Sequence, residues 1–157
     1  IEFSYTCIMN FESFLEDKEP DYKDRFLHDI WHFFDIEIEQ THDFIQLLFP
    51  LNEQSESVFH GHYLDTESSI MNIKSNELAK ENIVKSSKWF LAFLERNHHW
   101  RRRYDHNHRR ITRIIKSLRL LVSDDDADAF YQLILNTLRE EDKLKINSET
   151  LEFWKSA

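Results

Sequence analysis

The chain has 157 residues, a formal net charge of -9 and a hydrophobic content of 41%, which includes 13 Phe. This composition excludes a disordered chain and predicts a packed interior. One Gly and two Pro are few for the many turns of a sheet protein, so we expect an all-α fold, a single compact multi-helix domain of six to eight helices over residues 1–157.

The apolar runs, the N-terminus and the single Cys7 bear on where in the cell the protein is found. The apolar runs are only a few residues long, which excludes a membrane-spanning helix and favours a cytoplasmic location. Cys7 cannot form an internal disulfide, which is consistent with a reducing compartment or independent of the compartment. Residues 1–9 lack a basic leader and a small-residue cleavage site, so we expect no signal peptide there. Because the chain opens without Met, these residues are either an extended N-terminus or an addition before Met9.

Two helices are predicted before residue 35. Phe and Leu at helical spacing indicate a short amphipathic helix over residues 10–19. Asp21 can cap a second helix, which would extend over residues 21–34. Its inward face would carry Tyr22, Phe26, Ile30, Trp31 and Phe34.

The next stretch contains a short apolar helix and the longest loop. Thr41 can cap a helix that ends before Pro50, and its apolar residues on most sides predict a buried position. We expect His42 and Asp43 to cap this helix or to satisfy polar groups of the core. Residues 51–63 include the only Gly and show no sustained period, which predicts a loop.

Two further helices follow this loop. Asp65 and Thr66 can start a short helix, and Asn76 can start a longer helix that extends to about Arg96. The spacing predicts an inward face for the longer helix that carries Ile83, Ser87, Phe90, Leu91 and Leu94.

The segment from 104 to 122 combines a clear apolar stripe with the densest positive charge. Asp105 is its candidate N-cap, and the helix should end near Val122, because Ser123 followed by three Asp residues is typical of a helix start. The stripe predicts a buried face of Ile111, Ile114, Ile115, Leu118, Leu121 and Val122. The other faces would carry the basic residues Arg109, Arg110, Arg113, Lys116 and Arg119.

Two helices complete the predicted fold. The first begins at Ser123 and should bury its apolar face, which carries Ala127, Phe130, Ile134 and Leu138. The second begins near Asn147, and Leu151 and Trp154 are its candidate core residues.

Positive charge is concentrated in one part of the sequence. Residues 96–119 carry nine Lys or Arg and one acidic residue, Asp105, for a net charge of +8, so the rest of the chain carries -17. The acidic remainder disfavours non-specific binding of nucleic acid. The local basic patch can still hold an anion or the acidic surface of a partner.

Two long segments carry a family resemblance, IEQTHDFIQLLFPL at 38–51 and DHNHRRITRIIKSLRLL at 105–121. They resemble the conserved domain of the opioid growth factor receptor family, especially its compact bacterial members, and weaker matches lie near both ends of the chain. Arg109 stands where the family often has Leu. The animal members resemble nuclear-associated receptors for an enkephalin peptide. The resemblance implies a receptor-like domain and possible peptide binding, but it does not imply the same ligand.

The candidate ligand-binding site lies where a basic linker, residues 97–104, meets the helix that Asp105 caps. Guanidinium groups bind carboxylate or phosphate with paired donors, and a helix N-terminus adds free amide donors. Asp105 argues against the site, because its carboxylate can occupy this helix end itself. Trp100 and Tyr104 would either offer an aromatic surface or anchor the linker in the core. The candidate residues are Trp100, Arg101, Arg102, Arg103, Tyr104, His106, Asn107, His108, Arg110 and Arg113.

The favoured function is a non-enzymatic binding module for a small anionic ligand, a peptide or an acidic protein surface, with no catalytic residues. In one alternative, the arginines only pair with acidic groups of the same chain, such as Glu37 and Glu39. In a second, Arg103 and His108 act as in helical HEPN-type ribonucleases, whose Arg-x4-6-His pattern they resemble. In a third, the chain associates with itself through this patch.

Histidine pairs raise the question of a metal site, since neutral imidazole is a common zinc ligand. No nearby Cys or closely spaced carboxylate completes a ligand set, and the basic surroundings repel a cation. We therefore predict no metal and no cofactor. The pairs are His60 with His62, His98 with His99, and His106 with His108.

Overall fold

A computed structural model of the protein describes residues 9–54 and 62–157. All regular elements in these ranges are α-helices, which confirms the all-α fold. None of these helices has the length and hydropathy needed to cross a bilayer. The helices are α1 (Phe11–Leu15), α2 (Leu27–Trp31), α3 (Asp35–Gln40), α4 (Ile45–Leu48), α5 (Glu67–Lys74), α6 (Glu77–Arg96), α7 (His106–Leu121), α8 (Asp124–Thr137), α9 (Glu140–Lys145) and α10 (Ser148–Ser156).

The ten helices of the described residues exceed the six to eight expected, because α3 and α9 lie where no helix was predicted. The helix predicted over 21–34 is also too long, since only α2 forms there. Asp21 Oδ1 accepts hydrogen bonds from the backbone N–H groups of Lys23 (2.8 Å) and Arg25 (3.0 Å). These bonds fix a turn in which Asp24 has φ 58°. A short polar side chain can satisfy backbone donors in a turn as well as at a helix start, so α2 begins only at Leu27.

Two further predictions for this region are corrected. Phe34 was expected to face inward, but it is the N-cap residue of α3 and is 77% exposed. Thr41 is the C-cap of α3 rather than the N-cap of α4, whose N-cap is Phe44. All four residues of α4 are buried, as its apolar sequence predicted.

Contacts between Cα atoms divide the chain into a first unit, residues 1–79, and a second unit, residues 80–157. In the first unit, α1 packs against α5. Thr66 caps α5 by accepting the N–H of Ser69 at 3.1 Å, and Asn76 accepts the N–H of Ala79 at 3.0 Å, as predicted. The fully buried apolar side chains of this unit include Phe14, Leu15, Leu27, Ile30, Ile38, Phe44, Leu47, Leu48, Phe49 and Ile73.

An ion cluster lies in the first unit, between the turn at 21–26 and the start of α4. The Arg25 guanidinium donates to Asp21 Oδ2 at 2.7 Å and to Asp43 Oδ1 at 2.9 Å. Asp43 Oδ2 accepts from the Tyr22 hydroxyl at 2.5 Å and is 2.5 Å from Lys23 Nζ. Asp43 therefore satisfies polar groups as expected, whereas His42 is exposed and does not lie in the core.

This cluster shifts the pKa values of its members. Partial burial raises the pKa of the Asp43 carboxyl, but hydrogen bonds from Lys23, Tyr22 and Arg25 outweigh burial and hold the pKa below its usual range. Burial, followed by the hydrogen bond to Asp43, raises the pKa of Tyr22 above its ordinary value. At neutral pH the cluster therefore contains a charged carboxylate and a neutral phenol.

The second unit is built around α7, which packs against α8 and α10. The N-caps predicted for α7 and α8 are confirmed: Asp105 accepts the N–H of Asn107 at 2.9 Å, and Ser123 accepts the N–H of Asp126 at 3.0 Å. Val122 is the C-cap of α7, where the helix was expected to end. The predicted inward residues of α6 and α7 are buried except Val122, which is half-buried. The buried ones are Ile83, Ser87, Phe90, Leu91, Leu94, Ile111, Ile114, Ile115, Leu118 and Leu121.

Some predictions fall outside the described residues. These are the N-terminal stretch 1–8 with Cys7, and residues 55–61 of the predicted loop, which include His60. The loop prediction is met at its two ends, where the N–H of Leu64 donates to the carbonyl of Leu51 at 2.8 Å.

Candidate functional site

The N-terminus of α7 carries its own counter-charge. Asp105 caps the helix, and its side chain is fully buried. Asp105 Oδ2 also accepts from Arg102, at 3.1 Å from Nε and 3.0 Å from Nη2. The free amide donors expected at this helix end are thus partly satisfied within the protein, and Arg102 already has one carboxylate partner.

His108 joins three segments of the second unit. Its Nε2 lies 2.7 Å from the carbonyl oxygen of Trp100, and because a carbonyl only accepts, Nε2 carries the proton. Its own carbonyl accepts from Trp154 Nε1 at 3.0 Å. Burial lowers the pKa of His108, although the hydrogen bond to Trp100 acts in the opposite direction. The imidazole is therefore held neutral between the linker, α7 and α10.

Several of the predicted site residues hold the fold instead of facing solvent. Trp100 is fully buried, and its Nε1 donates to the carbonyl of Leu94 at 2.9 Å, so it anchors the linker. The Arg101 guanidinium lies 5.5 Å from the centroid of the Trp100 ring and 3.7 Å from Asp142 Oδ2. These contacts agree with the anchoring role that the sequence left open for Trp100.

Arg110 was expected on the exposed basic side of α7, and this prediction is wrong. Its side chain is buried, and Nη1 donates to Oδ1 of the buried Asn107 at 3.3 Å. The physical reason is helical spacing. Arg110 lies four residues before Ile114, so both point to the same face of α7 as the apolar stripe.

A groove with a volume of about 590 Å³ lies in the second unit, where the linker and the first half of α7 face α10. This volume is within the range of small-molecule sites, roughly 300–1,000 Å³. The groove is lined by Arg102, Tyr104, Asp105, His106, His108, Arg109, Thr112, Asn147, Glu149, Thr150 and Phe153.

The groove combines cationic and aromatic surface. Tyr104 is 64% exposed and Phe153 is 55% exposed, so two large rings reach solvent there. Arg109 is exposed, and its guanidinium has no hydrogen-bond or ion-pair partner among the described residues. Glu149 places one carboxylate on the α10 side. The α7 side can therefore receive an anion, while the rings can cover an apolar group.

Hydrogen bonds join the α10 side of the groove to the side that the linker and α7 form. The backbone N–H of Asn147 donates to the carbonyl of Arg103 at 3.2 Å, and Asn147 Nδ2 donates to the Tyr104 hydroxyl at 3.0 Å. Deeper in the unit, Trp154 bonds the carbonyl of His108. A hydrogen bond from Arg103 lowers the pKa of Tyr104. These bonds fix the distance between α10 and the linker.

The structure brings only part of the predicted site together. The predicted residues that line the groove are Arg102, Tyr104, His106 and His108, whereas Trp100, Arg101, Arg103, Asn107, Arg110 and Arg113 lie outside its lining. The residues that line it but were absent from the predicted set are Asp105, Arg109, Thr112, Asn147, Glu149, Thr150 and Phe153. Spacing could have found the α7 members, since Asp105, Arg109 and Thr112 recur every three or four residues. No local signal points to the α10 members.

The described residues form an all-helical fold, and the groove is a candidate ligand site in the second unit. The family model for the opioid growth factor receptor (OGFr) conserved region matches residues 9–157. Because the match spans nearly the whole chain, the chain belongs to the opioid growth factor receptor conserved-region family. Comparisons with curated proteins and with solved structures found no match.

Proposed function

We propose that the chain is a non-enzymatic binding module whose groove binds an anionic ligand, such as a peptide with a free carboxylate. One observation carries this proposal: the Arg109 guanidinium has no hydrogen-bond or ion-pair partner among residues 9–54 and 62–157, and it lies in a groove that also exposes two aromatic rings. Guanidinium binds carboxylate or phosphate through two parallel hydrogen bonds. Tyr104 and Phe153 would cover the apolar part of the ligand.

The charges of the groove favour one position for the anion. Glu149 repels an anion from the α10 side, so the ligand carboxylate should lie near α7. Arg102 already pairs with the buried Asp105, and a ligand would have to share it. Arg109 is therefore the main anchor, and Arg102 is the secondary one.

The family supports a peptide among the possible ligands, because its name describes a receptor for a growth factor. This support is limited to the class of ligand. We also propose a cytoplasmic location, and this proposal rests on the sequence.

The ribonuclease alternative has less support from the geometry. A catalytic His needs a ring nitrogen that can exchange a proton with the substrate. His108 is buried, and its Nε2 proton is donated to the carbonyl of Trp100. The Arg103 guanidinium lies 5.4 Å from the centroid of the Tyr104 ring and is outside the groove lining. We expect no cleavage of single-stranded or structured RNA by the purified protein. Cleavage that disappears in His108→Gln would instead favour the enzyme.

The proposed function is tested by thermal shift with inorganic phosphate and with short peptides that carry either a free or an amidated C-terminus. We expect free-carboxylate peptides to stabilise the wild-type protein and to lose most of this effect in Arg109→Ala. Arg119→Ala is the matched control, because Arg119 is also on α7 but pairs with Asp124 and Asp128 outside the groove. Equal stabilisation of Arg109→Ala and the wild type would contradict the proposal.

A further inference from the structure

Arg109 and Glu149 are opposite charges on the two walls of the groove. Arg109 lies on the α7 wall, Glu149 lies on the α10 wall, and both are exposed. Neither side chain has a hydrogen-bond or ion-pair partner among residues 9–54 and 62–157, so they do not pair with each other. The groove therefore offers an anion site on one wall and a carboxylate on the other.

The α10 wall combines this carboxylate with an aromatic ring. Glu149 and Phe153 are four residues apart on α10 and both line the groove, so they share one face of the helix. Phe153 is 55% exposed, and its ring contacts no other ring or cation in the described part of the chain. A carboxylate attracts a cation by its charge, and an open ring attracts it by its negative face. The α10 wall therefore has the chemistry of an ammonium site.

Asn147 holds the carboxylate next to a second ring. Its Oδ1 accepts the backbone N–H of Glu149 at 2.8 Å, and its Nδ2 donates to the Tyr104 hydroxyl at 3.0 Å. A hydrogen bond from Arg103 lowers the pKa of Tyr104, and the charge of Glu149 acts in the opposite direction, so the carboxylate is close enough to act on the phenol. One amide thus fixes the position of Glu149 beside Tyr104 before a ligand binds.

We propose that the ligand of the groove is a zwitterion, whose carboxylate lies against Arg109 and whose ammonium group lies between Glu149 and Phe153. This inference rests on the proposed function, which supplies the anionic half, and it adds Glu149 as the residue that selects the cationic half. A zwitterion neutralises both walls. A simple anion leaves the Glu149 carboxylate without a counter-charge and is repelled by it.

Isothermal titration calorimetry with matched peptides measures the contribution of the ammonium group. The probe is the tripeptide alanyl-phenylalanyl-alanine, with a free or acetylated N-terminus and a free or amidated C-terminus. We expect acetylation to weaken binding to the wild-type protein by about fivefold, because an exposed ion pair and a cation–ring contact are lost. Acetylation that leaves the affinity unchanged would overturn the inference.

Glu149→Gln removes the charge and keeps the size of the side chain. In this variant we expect acetylation to change the affinity by less than about twofold, because no carboxylate remains to bind the ammonium group. Glu152→Gln is the matched control, since Glu152 is also exposed on α10 but lies outside the groove lining. It should keep the full effect of acetylation. An equal effect in Glu149→Gln and the wild type, or the loss of the effect in Glu152→Gln, would overturn the inference.

The ammonium group of a peptide ligand can come from its N-terminus or from a lysine side chain. An acetylated peptide that ends in lysine with a free carboxylate is compared with one that ends in leucine. Binding that depends on Glu149 only for the free N-terminus assigns the site to a terminal ammonium group, and the same dependence for the lysine peptide assigns it to a side chain. If neither source of ammonium gives binding that depends on Glu149, the inference fails.

The two chemical changes separate this inference from the proposed function. Amidation and Arg109→Ala report on the anionic half of the ligand, whereas acetylation and Glu149→Gln report on the cationic half. Binding that responds to amidation but not to acetylation contradicts only this inference. Binding that responds only to acetylation contradicts the proposed function and keeps Glu149 as an ammonium site. No binding by any form of the peptide contradicts both.

Discussion

Arg25 in the first unit and Arg109 in the second show two uses of the same side chain. Arg25 lies between Asp21 and Asp43, and its side chain is only 16% exposed. Arg109 is exposed in the groove and has no ion-pair partner among the described residues. The comparison teaches that positive charge alone does not mark a binding site. An arginine is available to a ligand only where the fold leaves its guanidinium unpaired and accessible.

The largest expected effect on the free energy of unfolding comes from the core. It is the reference for the effects expected at the two arginines. Ile114 is fully buried on α7, and Leu118 is 1% exposed. Ile114→Ala should lower the free energy of unfolding by about 2–5 kcal/mol, because the deleted methyl groups leave a cavity. Urea denaturation measures the change, and the exposed Met71→Ala is a control. A loss no larger than in the control would show that this face of α7 is not packed.

The Arg25 cluster should give the next largest effect. Asp43→Ala leaves Arg25 and Lys23 without their shared carboxylate, which should cost about 1–3 kcal/mol, because the Arg25–Asp43 pair is partly buried and Arg25 keeps Asp21. Asp128→Ala is the control, since it removes an exposed partner of Arg119 and should cost about 0–1 kcal/mol. Urea denaturation of both variants in one buffer compares them. Equal losses would mean that the cluster contributes no more than a surface pair.

The pH dependence of stability gives a second test of the contribution of Asp43. The pKa of Asp43 is lower in the folded protein than in the unfolded chain, where a value of about 3.9 is usual. Its contribution to stability is therefore complete above about pH 4 and is lost as the pH falls through the folded pKa. Asp43→Asn should flatten the decline of stability in this acid range. An unchanged decline would contradict the assigned cause.

His108 should respond in a different pH window. Burial holds its pKa below the unfolded value of about 6.5, so the neutral form stabilises the fold. This stability is complete above about pH 6.5 and is lost as the pH falls towards the folded pKa, by at most about 1.4 kcal/mol per pH unit. His108→Gln keeps an N–H donor but does not titrate, and it should remove this slope between pH 7 and 5 in urea denaturation. A slope that persists in the variant would point to another group.

The smallest expected effect on stability is at Arg109, which is compared here with Arg25. Arg109→Ala removes no ion pair among the described residues, so the free energy of unfolding should change by no more than about 0.5 kcal/mol. Arg25→Ala, by contrast, should lower it strongly because two carboxylates lose their partner. Chemical denaturation of the two variants gives the contrast directly. A large loss in Arg109→Ala would assign this arginine to the fold.

The helix starts that the sequence predicted correctly depend on local chemistry. Thr66, Asn76, Asp105 and Ser123 each accept a backbone N–H within three residues, and such bonds need no distant partner. Asp21 has the same local signal, but Arg25 connects it to Asp43, which is 18 residues further along the chain from Arg25. A single sequence contains no sign of that contact, so the turn was predicted as a helix.

The candidate site could also be predicted only in part from the sequence. The sequence identified the basic stretch, but the rotation of α7 decides that Arg110 is buried and that its neighbour Arg109 is exposed. This rotation follows from the packing of α7 against α8 and α10. The α10 side of the groove, with Asn147 and Phe153, depends entirely on that packing.

The hydrogen bonds that join α10 to the linker have a kinetic consequence. Asn147 binds both the carbonyl of Arg103 and the hydroxyl of Tyr104, so the groove is pre-organised before any ligand arrives. A ligand would not have to wait for an opening step. Its observed association rate should then rise in proportion to ligand concentration without reaching a plateau, and affinity differences among related ligands should come mainly from their dissociation rates.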